Sequence, residues 1–310
     1  MLPTLFMILL QAHHCTWPIR WVRGALTDAK AHADAGLGLY DEVRHARHRL
    51  LYHGHDPAAC ALSIKSVLLW LLGYPTQGLQ SEHEAINFAR RLQHVPSLAN
   101  ALWFVAQAQV SRSDAVAVVN TASELLALSE EHGLPHTRAA ALAYLGWAVA
   151  HTGDVSRGLR CLEEGLALYH QVGLRIHLCL PICLLAEAYL KSEQYEKGME
   201  QTNLAMAISS EIGDRWCLPR VYAIRGRLLL TLGQGDAAET SLKMAVDIAA
   251  TQSAKGVQLH TANSLARLWR DQGKVREARE LLAPVYGWFT EGFDTRDLKE
   301  AKALLEELAA

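Results

Sequence analysis

An all-α, right-handed superhelical solenoid of helix hairpins is the fold class the sequence predicts, and three observations predict it. First, Gly73, Ser113, Gly153, Glu193, Gly233 and Gly273 follow one another at intervals of 40 residues, each just before a short turn. Second, small residues keep the same phase. Five positions after each marker stand Gly78, Val118, Gly158, Gly198, Ala238 and Ala278, and seven positions before it Ser66, Ala106, Gly146, Ala186, Gly226 and Ala266. A glycine inside a helix costs about 1 kcal/mol relative to alanine, so its return at fixed helical columns calls for two helices in close approach. Third, the segments between markers carry helical periodicity, and no window alternates long enough to demand a strand.

The elements follow in chain order. Met1 to Leu10 is apolar, but it lacks a basic leader and a small-residue cleavage site, and it is too short to span a bilayer. It reads as a first helix short of cover from a preceding repeat, with Leu2, Leu5, Phe6, Ile8, Leu9 and Leu10 apolar; an exposed face of that kind favours homo-oligomer formation. Gly24 marks an incomplete or divergent first repeat over 1–40, and the interval from Gly24 to Gly73 is 49 residues, which places an insertion at 41–56. Six repeats then fill 57–294. Pro57, Pro96, Pro135, Pro181 and Pro219 sit near the starts of first helices, where a missing amide hydrogen matters least. Gly133, Gly173 and Gly213 end second helices as C-terminal caps. The stretch 295–310 holds an amphipathic helix, with Leu298, Ala301, Leu304, Leu305 and Leu308 on one face, suited to cap a solenoid's last apolar surface. A single helical-repeat domain over 1–310 is expected.

Composition narrows the function classes. Of 310 residues 50% are hydrophobic and 20% charged, with a net charge of -2, which argues against a disordered chain and against a basic domain built on nucleic-acid phosphates. The Arg220, Arg225, Arg227, Arg267 and Arg270 set is the strongest basic feature, but it lacks the aromatic interleaving that stacks bases, so no nucleic acid and no membrane is expected as partner. Six cysteines form no CxxC pair and read as packed, reduced thiols of a cytoplasmic protein. His45, His48, His53 and His55 crowd the insertion beside Asp56 and invite a metal. The reading preferred here is a solvated run of Arg44, His45, Arg47, His48 and Arg49 followed by a turn that caps the next helix; no metal and no cofactor are expected. His177 and Cys179 lie two apart in a helix and point to different faces, and no GxxxxGK[ST] phosphate loop occurs, so the chain is not expected to be an enzyme.

Leu145-Gly146, Val149, Gly153-Asp154, Gly158 and Leu162, and again Ala266, Trp269, Gly273-Lys274, Ala278 and Leu282, resemble the tetratricopeptide repeat. Further stretches are more specific: Gly54-His55-Asp56-Pro57, then Leu69-Trp70-Leu71-Leu72-Gly73-Tyr74-Pro75, and near the end Leu282-Ala283-Pro284-Val285-Tyr286-Gly287-Trp288-Phe289-Thr290-Glu291-Gly292-Phe293. They resemble the repeat region that follows the adenylate/guanylate cyclase and ATPase domains of large bacterial signalling proteins, without those domains. That resemblance implies a non-catalytic, regulatory scaffold that holds a peptide, a helix or a partner domain on the concave side formed by its first helices. The alternative is a small-molecule-sensing regulatory domain.

Repeat phase then names the groove. Columns thirteen, ten, six and three positions before the markers contain Trp70, Asn100, Trp103, Gln107, Trp147, Glu187, Arg220, Arg227, His260, Asn263, Arg267 and Arg270. The early units offer tryptophans suited to apolar anchors; the late ones offer arginines, which hold carboxylates with two hydrogen bonds, so an acidic peptide or protein is the expected partner. The competing fates are tryptophans buried between repeats and arginines paired with carboxylates of the same chain.

Overall fold

Left-handed turns cut this chain into hairpins. In the computed structural model, which describes residues 2–52 and 54–309 (the side chains of 2–6 excepted), all seven turn markers have positive φ: Gly24, Gly73, Ser113, Gly153, Glu193, Gly233 and Gly273. Glycine adopts this conformation without a Cβ clash; Ser113 and Glu193 adopt it at a cost, at φ 60° and 61°. The helices are α1 (Leu2–Val22), α2 (Leu26–Leu39), α3 (His48–Leu51), α4 (Pro57–Leu72), α5 (Pro75–Arg91), α6 (Val95–Ser111), α7 (Ala115–Glu131) and α8 (Pro135–Thr152). They continue with α9 (Val155–Gln171), α10 (Cys179–Lys191), α11 (Tyr195–Ile212), α12 (Leu218–Thr231), α13 (Gly235–Thr251), α14 (Lys255–Asp271), α15 (Val275–Tyr286) and α16 (Arg296–Glu307). No strand occurs among the described residues.

Burial separates the two helices of each hairpin. First helices are buried nearly all round, as in α8, where every residue from Ala139 to Ala150 is buried. Second helices bury one stripe; in α9 it is Gly158, Leu162, Gly165, Leu166 and Tyr169. The small columns lie where the pair touches: a Cβ on Gly146 would stand 2.7 Å from the Gly158 carbonyl oxygen. One apolar cluster runs from Trp17 to Ala254, and a second joins α13, α14, α15 and α16.

The turn of the superhelix closes on itself. Gly256 of α14 rests against the Trp70 backbone, and Gly73 against Lys255, Trp288 and Phe289. Tyr74 meets Trp288 edge-on at 5.5 Å. On the other side the Arg215 N–H donates to the Val22 carbonyl at 2.7 Å, and Gln252 Nε2 donates to the Arg215 carbonyl at 2.8 Å. The Gly73-Tyr74-Pro75 stretch and the 288–292 stretch, which carry the more specific resemblance, are thus the two faces of one seam.

Glu291 fastens that seam. Its Oε1 accepts the Thr76 and Gln77 N–H groups at 3.0 and 3.2 Å, and its Oε2 accepts Gln77 Nε2 at 3.1 Å. Tyr74, at the cap position of α5, makes no side-chain cap bond, so a residue about 215 positions away fills the role. A Glu291→Ala variant is expected to lose about 1 kcal/mol in urea unfolding, the usual worth of an N-cap. Hydrogen exchange should be faster at Thr76 and Gln77; unchanged exchange there would refute the capping role.

The insertion departs from expectation. His45 and His48 are buried where a solvated run was expected, because the turn before α3 and the start of α3 fold their rings inward: the Asp41 N–H donates to His45 Nδ1, and Gln11 Nε2 donates to His48 Nδ1. Val43, Leu50 and Leu51 turn outward instead. In α1, Ile8 and Leu9 are 61% and 42% exposed while Leu10 is buried. The Leu2, Leu5 and Phe6 side chains and His53 lie outside the described residues. No described helix is long and apolar enough to cross a membrane.

Candidate functional site

The column six positions before the markers runs as a ladder along the inner wall. Its rungs are Gln107, Trp147, Glu187, Arg227 and Arg267, one per first helix from α6 to α14. The Tyr144 hydroxyl donates to Gln107 Oε1 at 3.1 Å and accepts from Trp103 Nε1 at 3.2 Å. Trp147 Nε1 donates to Glu187 Oε2 at 3.1 Å. Trp103, Gln107 and Trp147 are 8%, 0% and 1% exposed, so these three stand within the wall rather than on its surface.

Glu187 is the hub. Arg220 reaches its Oε2 at 2.8 Å, and Arg227 and His151 reach its Oε1 at 3.6 and 3.5 Å. Burial on its own would raise the pKa of this carboxyl; the charge of Arg220, helped by His151 and Arg227, outweighs burial and holds it well below the usual range. Arg220 also lies over the Trp147 ring at 5.9 Å and donates to the Val110 carbonyl at 3.4 Å, which ties α12 across the turn to α6.

Between these groups and the seam lies a pocket of about 70 Å³, or about 780 Å³ when the open solvent at its mouth is counted. Trp70, Leu180, Trp216, Ile224 and Val257 supply apolar wall; Glu187, Arg220, Arg227, His260 and Asp297 supply charge. Beneath it Trp21 packs against Phe104, His177 and Trp216 at 5.5, 4.8 and 5.2 Å. Burial pushes the His177 imidazole down to about 4 and the Asp214 carboxyl up to about 7, the latter against the opposing pull of the Cys179 backbone N–H.

Of the residues named from repeat phase, Trp70, Glu187, Arg220, Arg227 and His260 converge on this pocket. Asn100 is half-buried on α6. His260, Asn263, Arg267 and Arg270 face the C-terminal helix: His260 Nδ1 lies 3.1 Å from Asp297, Asn263 donates to the Asp297 carbonyl at 3.0 Å, and Arg267 and Arg270 each meet a carboxylate, Glu300 and Glu307, at 2.6 Å. The four arginines therefore all have counter-charges within the chain. Trp216 and Asp297 escaped sequence reasoning because they lie in the entry to α12 and at the start of α16, outside the repeat columns. No local signal marks them.

Residues 258–286 match the family model described as tetratricopeptide repeat. Structures with the same architecture include the apo form of RapI, 12% identical, covering 96% of this chain and 99% of that one at a TM-score of 0.55. NprR in complex with its cognate peptide NprX is 10% identical, covering 94% and 82%, at 0.58. The fold is tetratricopeptide-like. An uncharacterised protein of Rhizobium meliloti (strain 1021) is 28% identical over 262 residues, 84% of this chain. This chain spans 26% of the length of that relative.

Proposed function

We propose that this tetratricopeptide-like chain is a non-catalytic regulatory scaffold, and that the pocket inside its closed turn binds a short acidic peptide segment of a partner. The observation that carries this reading is the pocket's composition: an apolar wall of Trp70, Trp216 and Ile224 facing the Arg227 guanidinium, which is 44% exposed and only 3.6 Å from its internal carboxylate. An incoming carboxylate can exchange with Glu187 for Arg227, while Arg220 stays with Glu187. Asn100, Trp103, Gln107 and Trp147 then support the wall, and Asn263, Arg267 and Arg270 hold α16 at its rim. NprR, a protein of the same fold solved with its cognate peptide NprX, supports peptide binding as a use of this fold. The specific stretches at both sides of the seam support a place beside signalling domains of the cyclase and ATPase type, in the cytoplasm. The cysteines are all free thiols, as that compartment requires.

The enclosure of the pocket favours one alternative, a small-molecule ligand with its own carboxylate. Native mass spectrometry of the purified chain separates the two by the mass of any bound species. For the peptide reading, Arg227→Glu is expected to leave helical content intact and to weaken binding of Asp/Glu-rich peptides carrying one apolar residue by at least about tenfold, roughly 1.4 kcal/mol. The effect should shrink as salt rises. Calorimetry at two ionic strengths measures it, and a folded variant that binds unchanged would remove Arg227 from the site.

A further inference from the structure

Away from the pocket, where α1, the insertion and α4 meet, three side chains with metal-binding atoms come together from distant points of the sequence. The ligating atoms of His14, His55 and Cys60 all lie within 4.8 Å of one another. His14 Nε2 and His55 Nε2 are 3.1 Å apart. In a tetrahedral zinc site with metal–nitrogen distances near 2.0 Å and metal–sulfur near 2.3 Å, neighbouring ligand atoms stand roughly 3.3 to 3.7 Å apart. The two imidazole nitrogens stand about 0.2 Å inside that spacing, and the sulfur needs to approach by up to about 1.3 Å.

The surroundings prepare the first imidazole. Gln11 Nε2 donates to His48 Nδ1, which leaves Gln11 Oε1 to accept from His14 Nδ1 at 3.2 Å. With its hydrogen on Nδ1, His14 directs the Nε2 lone pair at His55. A ligating histidine held by its second nitrogen in this way is a regular feature of metal sites. On the sulfur side Cys60 is buried beside the Trp17 indole, whose N–H has no hydrogen-bond partner. His14 and Cys60 are buried and His55 is half-buried, so the cluster opens to solvent on one side, where a water can take a fourth position.

We propose that His14, His55 and Cys60 form a site for one divalent metal ion of the zinc class, bound through two imidazole Nε2 atoms and a thiolate. Imidazole with thiolate selects zinc over the hard cations, which prefer oxygen. On binding, the Cys60 thiol releases its proton to solvent and the sulfur lone pair goes to the metal; nothing is oxidised or reduced. The ion joins α1 to the insertion and to α4, so it fastens the divergent first repeat to the superhelix. The pattern is invisible along the chain because His14 is 41 residues from His55, while His45 bonds to Asp41 and His48 reaches the cluster only through Gln11.

Cobalt(II) titration of the full chain, stripped with chelator and kept reduced, tests the proposal. One equivalent should bind with the intense visible bands of four-coordinate cobalt and a near-ultraviolet thiolate charge-transfer band, and zinc should displace it. Cys60→Ser should abolish the charge-transfer band. His55→Gln, at a half-buried position that tolerates change, should weaken binding by roughly ten- to a hundredfold, as should Gln11→Ala, which leaves the ligands in place. Zinc should also raise the melting temperature of the wild-type chain more than that of His55→Gln. Weak binding of wild-type chain without the charge-transfer band, or unaltered bands in folded Cys60→Ser, would overturn the assignment.

Discussion

A Glu187→Ala variant is expected to unfold about 3 to 5 kcal/mol more easily than the natural chain, because it leaves Arg220 without its counter-charge inside the wall. Three cationic or ionisable groups point at this carboxylate, and the Trp147 N–H donates to it, so one truncation orphans donors on α8 and α12 together. Glu187→Gln keeps the volume and an acceptor for Trp147; its loss should be smaller, and the difference between the two isolates charge from packing. The pH dependence has a definite sign. The folded pKa of Glu187 lies below its unfolded value near 4.3, so its contribution is fully present above about pH 4.3 and is lost as pH falls through the folded value. Urea unfolding from neutral pH down to pH 3 should therefore show the wild-type curve falling toward that of Glu187→Gln. Parallel curves would mean that Glu187 does not titrate in the way its neighbours dictate.

Glu187 also marks how far the sequence could be read. Its place on the inner wall follows from repeat phase alone, since the column that holds Gln107 and Trp147 must hold Glu187 and Arg227 as well. Turn positions, hairpin pairing and the close approach at Gly146 and Gly158 follow in the same way, because each is a local demand repeated at a fixed interval. What the pairing partners would be does not follow. Arg220 finds Glu187 33 residues earlier, and Arg267 finds Glu300 33 residues later. Neither is at the repeat spacing: one depends on how far α12 leans toward α10, and the other on where α16 docks. Closure of the turn is still less local. Glu291 capping α5 and Trp216 packing on Trp21 depend on accumulated rotation over several hairpins, and no window of sequence contains both partners. The buried His45 and His48 were misplaced for a related reason: a run rich in Arg and His reads as solvated, yet α1 supplies a partner in Gln11 that takes one ring out of water.

The glycine columns yield the sharpest comparison, because the same substitution should have opposite signs at two sites. Gly158→Ala exchanges a poor helix former for the best one, which in an open helix is worth up to about 1 kcal/mol. At Gly158 the new methyl carbon would stand 2.5 Å from the Gly146 carbonyl oxygen, 2.6 Å from the Ala150 Cβ and 2.7 Å from the Ala150 nitrogen. Two of those atoms are backbone of α8, so no side chain can turn aside; the hairpin has to spread. Spreading α8 from α9 moves Tyr144 and Trp147 on one helix and Leu162 and Tyr169 on the other, all buried to within about 1%. Overpacking of a filled core costs about 1 to 3 kcal/mol and sometimes more, so a net loss of about 3 kcal/mol is expected, with a fall in melting temperature of roughly 6 °C. Gly235→Ala provides the contrast: it lies in the first turn of α13, and a Cβ there meets nothing within 4 Å. That variant should be unchanged or more stable by up to about 1 kcal/mol. Equal stability of the two variants in thermal and urea unfolding would show that helix propensity, not contact between α8 and α9, governs the column.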